Sequence, residues 1–164
     1  MIRPVTHSDC EAIREIYNYY IEETIVTFEE ELVTTDEMAR RVRETSESYP
    51  WLVCEEGGEI TGYAYARTWH PRSAYRFSVE SSVYLGKGNE RKGLGSALYA
   101  ELLPRLQALS IHSVIAGISL PNEASVAIHE KFGFKKAAHY REVGRKFDRW
   151  IDVGYWQLIF EPAP

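Results

Sequence analysis

The sequence predicts a mixed α/β domain, a central sheet with helices on both faces. Stretches with strand-type and helix-type patterning follow one another as β-α-α-β-β-β-α-β-α-β-β, without linker, repeat or low-complexity run. A hairpin signal, Glu56-Gly57-Gly58-Glu59, joins two apolar runs, so part of the sheet is an antiparallel meander. The chain has 164 residues, 45% hydrophobic and 13% aromatic, enough to bury one core without disulfide or metal staples. A single domain over residues 1–164 is expected.

Ile2 to Val5 reads as a short first strand. Ser8 and Glu11 fit a capping box, followed by the apolar helical stripe Ala12, Ile13, Ile16, Tyr17, Tyr20 and Ile21. Thr24 to Phe28 reads as a loop. Thr34 and Glu37 fit a second capping box, and the helix after it (Met38, Val42, Thr45) is mostly charged, so it is expected on the surface. Trp51–Glu55, Ile60–Thr68 and Arg76–Leu85 form the meander. The next helix carries Leu98, Leu102, Leu106 and Leu109 at helical spacing, and Pro104 should kink or divide it. Val114–Ile118 is a short buried strand, and Asn122–Phe132 a short helix that Gly133 ends. Phe134–Val143 and Ile151–Phe160 close the sheet. On this last pair, Tyr155, Trp156, Leu158 and Phe160 suggest more exposed apolar area than a monomer needs.

The net charge of −5 argues against nucleic acid or an anionic membrane as partner. No apolar run approaches a membrane span, and Met1-Ile2-Arg3-Pro4 does not open a signal peptide, so a cytoplasmic location is expected. Cys10 and Cys54 form no C-x-x-C pair and read as core filler. The five histidines show no metal-binding spacing, and no metal is expected.

Chemistry concentrates around Glu90–Ser96, E-R-K-G-L-G-S, which lies between a strand and an amphipathic helix. Glycine lets backbone approach a phosphate, and the first N–H groups of a helix point outward at the positive end of its dipole. Neither G-x-x-x-x-G-K-S/T nor G-x-G-x-x-G is present, so neither a P-loop nor a dinucleotide fingerprint is read. From the loop alone, an anion site and a plain tight turn stand about even.

Four segments carry a resemblance across nearly the whole chain: V-E-S-S-V-Y-L at 79–85, R-K-G-L-G-S at 91–96, L-P-N-E-A-S-V-A-I-H-E-K-F-G-F at 120–134 and W-I-D-V-G-Y-W at 150–156. In these it resembles the GNAT N-acetyltransferases, and most of all their phosphinothricin and methionine sulfoximine branch. The resemblance implies a GNAT fold with a V-shaped splay between the strands near residues 83 and 115. It implies acetyl-CoA as co-substrate, with the pantetheine arm paired to Val83, Tyr84 and Leu85. Arg91, Lys92, Gly93, Leu94, Gly95 and Ser96 would wrap the pyrophosphate, and Asn122 and Ser125 would contact the cofactor. Glu90 departs from the family, which usually carries Gln or Arg there.

By the same resemblance Glu80 and His129 are the catalytic pair. A carboxylate near the acceptor can take the proton an ammonium must lose, and a histidine can supply one to the departing thiolate. Phe28, Arg72 and Tyr75 match substrate positions of the branch, and an arginine fork suits a carboxylate or phosphinate. Arg67, Arg76, Lys146 and Arg149 read as solvated charges. The expected activity is acetylation of the α-amine of a small amino acid or amino-acid-like toxin: phosphinothricin, methionine sulfoximine or sulfone, or an arsenic analogue. The alternatives are an acetyltransferase for a protein N-terminus or polyamine, and a non-catalytic acyl-CoA-binding module. A homodimer is expected from the family.

Overall fold

A computed structural model describes residues 1–161, so the last three residues of the expected domain, 162–164, lie outside the described residues. The elements follow the expected order: β1 (Ile2–Pro4), α1 (Cys10–Glu23), α2 (Thr35–Ser46), β2 (Trp51–Glu56), β3 (Glu59–Thr68), β4 (Ser78–Leu85), α3 (Leu94–Ala108), β5 (Ser113–Ser119), α4 (Glu123–Lys131), β6 (Lys135–Lys146) and β7 (Arg149–Ile159). The strands form one sheet, ordered β1-β2-β3-β4-β5-β7-β6. Every neighbouring pair is antiparallel except β4 and β5.

Helices cover both faces. Leu98, Leu102 and Leu106 of α3 pack on Val79, Val114, Ala116 and Trp156. On the opposite face Ile13, Ile16, Met38 and Val42 of α1 and α2 pack on Trp51, Val53, Tyr63 and Tyr84. Each such fully buried aliphatic or aromatic side chain contributes about 1.5–3 kcal/mol. Cys10 and Cys54 are free and buried within these two clusters, as core filler should be.

The start of α1 differs from the sequence reading. The cap lies one turn earlier: the Asp9 carboxylate accepts from the Thr6 N–H at 2.7 Å and from the Arg3 guanidinium at 2.7 and 2.9 Å. Glu11 turns instead to Arg14 and Thr35. Thr6-x-x-Asp9 is a second local capping pattern, and the long-range Arg3 fork favours it over Ser8-x-x-Glu11. At α2 the expected cap stands, with Thr34 Oγ1 accepting from the Glu37 N–H at 3.2 Å.

Pro104 does not divide α3, which runs unbroken from Leu94 to Ala108. Pro104 and Ala100, whose carbonyl loses its partner, are both exposed, so water can take that carbonyl. Gly57 and Gly58 turn the β2–β3 hairpin at φ 60° and 86°. The β6–β7 hairpin is tighter than expected: Lys146 pairs with Arg149, and Phe147 and Asp148 turn at φ 51° and 58°. This two-residue turn lengthens both strands beyond their sequence-based bounds.

The apolar surface also lies elsewhere than expected. Trp156 is buried, and Tyr155, Leu158 and Phe160 are partly buried. The exposed ones on β6, β7 and the turn between them are Tyr140, Val143, Phe147, Trp150 and Ile159.

β4 and β5 pair at only three positions, Ser78 with Ser113, Val79 with Val114 and Glu80 with Ile115. Beyond them β4 continues along β3 and β5 continues along β7. Each strand is then held from its outer side, and the sheet opens into the expected V.

Candidate active site

A cleft of ≈ 540 Å³ lies at this opening. β4 lends it Glu80, Ser82 and Tyr84, β5 lends Gly117 and Ser119, and the loop after α1 lends Thr27 and Phe28. The period of two along a strand brings Glu80, Ser82 and Tyr84 to one face and turns Ser81 and Val83 to the other.

Glu80 is tied on one side only. Its Oε2 accepts from Arg67 Nε at 3.0 Å and Nη2 at 2.8 Å. Arg67 stands opposite it on β3, in register, and lines the cleft. Arg67 is exposed, as a solvated charge would be, and it is also paired: the β3–β4 register aims it at a carboxylate. Oε1 looks across the V toward β5, where a Cβ on Gly117 would lie 3.7 Å from it and 3.1 Å from Tyr155. Glycine at 117 keeps that space clear.

Two further residues fix the Phe28 loop, and the sequence reading missed both. The Phe28 ring lies over Gly144 of β6, where a Cβ would come within 2.2 Å of it. Lys146 is 2% exposed, not solvated, and donates to the Thr27 carbonyl at 2.9 Å and the Tyr20 carbonyl at 3.4 Å. Burial lowers the pKa of its ammonium. Both residues lie on the stretch of β6 that the unexpected Phe147–Asp148 turn adds.

The backbone of β4 supplies a second feature. The Gly86 N–H bonds to Thr61 of β3, so by strand alternation the N–H and C=O of Leu85 and Val83 face the gap. Among the described residues no strand stands opposite them. The Tyr20 hydroxyl meets both groups of Leu85, donating to its carbonyl at 2.8 Å and accepting from its N–H at 3.2 Å. Tyr84 turns its backbone to β3, in register with Tyr63, and offers its side chain to the cleft.

The start of α3 leaves backbone donors free. Gly93 caps it at φ 80°, and the Ala97 N–H is the first to bond back into the helix, to the Gly93 carbonyl. The N–H groups of Leu94, Gly95 and Ser96 are left without a helical partner. Arg91 and Lys92 are exposed beside it. Lys131, from the last turn of α4, donates to Ser96 Oγ at 3.2 Å, a third cation that no local pattern signals. Gly95 has a different reason for being glycine. A Cβ there would meet Ile128 at 2.9 Å, so it lets α3 and α4 close together.

His129 is 3% exposed and does not line the cleft. Its Nδ1 lies 2.6 Å from the Ser125 carbonyl, and its Nε2 lies 2.8 Å from the Tyr99 hydroxyl, which is 3.1 Å from Ser81 Oγ. An Nδ1–H tautomer satisfies both contacts, and burial lowers the ring's pKa below its ordinary value. Asn122 caps α4, its side-chain oxygen accepting from the Ser125 N–H at 3.1 Å. Arg72 and Tyr75 sit on an exposed turn between β3 and β4 and are not among the residues lining the cleft.

Among the described residues no group of three or more His, Cys, Asp or Glu side chains could hold a metal. No helix among them is long and apolar enough to cross a membrane.

Comparison with known proteins places these features in a family context. Residues 2–154 match the model of the acetyltransferase (GNAT) domain. The chain is 44% identical over 164 residues to phosphinothricin N-acetyltransferase of Streptomyces viridochromogenes, covering 99% of this chain and 90% of the relative. It is 37% identical over 158 residues to the L-methionine sulfoximine/L-methionine sulfone acetyltransferase of Salmonella typhimurium, covering 96% and 92%. A crystal structure of a phosphinothricin acetyltransferase from Sinorhizobium meliloti in complex with acetyl-CoA superposes with a TM-score of 0.94 at 35% identity, covering 97% of this chain and 87% of that one.

Proposed function

The chain belongs to the acetyltransferase (GNAT) family, and on that premise we propose that it transfers the acetyl group of acetyl-CoA to the α-amine of a small amino acid or amino-acid-like toxin. The acceptors proposed are phosphinothricin, methionine sulfoximine or sulfone, or an arsenic analogue. The observation that carries this reading is the cleft at the open V, with Glu80 Oε1 turned toward the gap.

Acetyl-CoA, when bound, supplies an activated acetyl thioester. The residues fit it: gap-facing backbone groups on Val83 and Leu85, free N–H groups at Leu94, Gly95 and Ser96, and the cations Arg91, Lys92 and Lys131. We assign the pantetheine contacts to β4 and the pyrophosphate contacts to Arg91–Ser96, with Asn122 and Ser125 at the start of α4 beside them. Pairing at Leu85 requires Tyr20 to give up its two bonds there.

Glu80 takes a proton from the acceptor ammonium, directly or through water, while Arg67 keeps the carboxylate oriented. His129 relays a proton to the departing thiolate. It takes up at one ring nitrogen the second proton the amine releases on acetylation as it gives one from the other, so the ring ends neutral. To do so it exchanges its two internal bonds, so its removal costs less rate than removal of Glu80. Phe28 walls the acceptor side, and Arg72 with Tyr75 receives the far, acidic end of substrates that have one. Arg67 in the cleft disfavours the polyamine alternative, since a polycation would meet it. The protein is proposed to work as a cytoplasmic homodimer, its subunits meeting over Tyr140, Val143 and Trp150.

The test is release of CoA thiol with a panel of amino acids, analogues, peptides and polyamines. Turnover confined to amino-acid-like amines is expected. Turnover only with polyamines or peptide N-termini would overturn the reading, as would acetyl-CoA binding without turnover on any amine.

A further inference from the structure

We infer that Arg67 holds the α-carboxylate of the acceptor, so that Arg67 and Glu80 together read the two charged groups of an amino-acid head. This rests on the proposed N-acetyltransferase activity and adds the group that selects the acceptor.

Arg67 is the one cation among the described residues lining the cleft. It spends Nε and Nη2 on Glu80 Oε2, while its Nη1 has no partner among the described residues. Glu80 is left the mirror-image resource, Oε1, on the gap side. The pair therefore offers a donor edge and an acceptor atom side by side. An α-amino acid has the complementary arrangement, with its ammonium and carboxylate on the same carbon.

Spacing supports this head-group assignment. The Arg67 and Glu80 groups touch at 2.8 Å, so a ligand bridging them must carry its own charges a few bonds apart. An α-carboxylate, one carbon from the amine, meets this requirement in any side-chain conformation, whereas a side-chain acid several carbons away must fold back to do so. Arg67 is also accessible, its side chain 57% exposed against 21% for Glu80. An exposed ion pair of this kind is weak enough to share its fork with an arriving carboxylate. Guanidinium suits the task because its planar donors can serve two carboxylates at different edges.

The experiment compares methionine sulfoximine with its carboxamide, which keeps the amine and side chain but loses the negative charge. Wild-type protein should favour the free acid. Arg67→Ala should lower kcat/KM for both compounds through its hold on Glu80, and for the acid by about 10- to 100-fold more than for the amide, the excess lying mostly in KM. Arg67→Lys should recover part of the loss, retaining charge without the fork. Equal losses on acid and amide would overturn the inference, since Arg67 would then act only through Glu80; so would no loss on either. Wild-type protein that turns over acid and amide equally would overturn it too, while leaving the proposed activity standing. Wild-type protein that binds acetyl-CoA and acetylates neither compound would overturn that activity and this inference together.

Discussion

Glu80 and Ser81 are consecutive on β4, yet the hydrogen-bond chains they begin run into different media. From Glu80 the chain leads to Arg67 and the cleft, with one carboxylate oxygen uncommitted. From Ser81 it leads to the Tyr99 hydroxyl, the His129 ring and the Ser125 carbonyl, all packed between β4, α3 and α4. A one-residue step across a sheet thus separates a carboxylate open to the cleft from a buried polar network whose members are bonded to one another. The buried side holds the V in shape: it joins β4 to both helices that flank the gap. Geometry assigns the larger chemical burden to the Glu80 face and the larger structural burden to the His129 face.

The largest effect expected is at Glu80. Glu80→Gln should lower kcat by about 10²–10⁴-fold with acetyl-CoA affinity within threefold of wild type, measured by steady-state kinetics and calorimetry. His129→Ala should lower kcat less than this; an equal or larger loss at full folding would erase the contrast between the faces. Gly93→Val should weaken acetyl-CoA binding strongly, because φ 80° suits glycine and the free N–H groups lie beside it. Gly95→Val should show its loss first in thermal stability, through the clash with Ile128. A calorimetric titration beside a melting curve separates the two.

Tyr99→Phe is expected to destabilise the fold by about 1–3 kcal/mol in urea, since His129 Nε2 loses its donor inside the protein. The smallest effect is in pH dependence. The pKa of His129 is lowered by burial, so the unfolded chain takes up protons first as pH falls through the ordinary value of 6.5. Stability should decline from there toward lower pH, and His129→Gln should flatten that decline. Asp9 occupies a separate window: Arg3 holds its pKa at about 2, so its contribution survives above the ordinary 3.8 and is lost as pH falls toward 2.

Much of this architecture was readable in advance. The order of elements followed from periodicity, and Gly57-Gly58 announced its hairpin because both positions need positive φ. Phe147-Asp148 makes the same kind of turn without a glycine, so the end of β6 was hidden, and with it the inward aim of Gly144 and Lys146. The cap of α1 was misplaced because Asp9 answers to Arg3 on β1 as well as to its own turn. The solvation of Arg67 is legible but its pairing is not, because its partner lies thirteen residues away across a strand register that no local pattern states. Lys131 reaches the start of α3 only through α3–α4 packing. The glycine loop itself was visible, though its two glycines proved to answer different needs.

The central claim, that Glu80 on the open face performs the proton work on the amine, is tested most directly by the pH–rate profile of Glu80→Gln beside wild type. If Glu80 is the base, the kcat deficit should be largest near neutral pH and should narrow as pH rises and free amine becomes abundant without help. A variant that keeps the wild-type profile, or one whose deficit stays constant across the alkaline range, would contradict it.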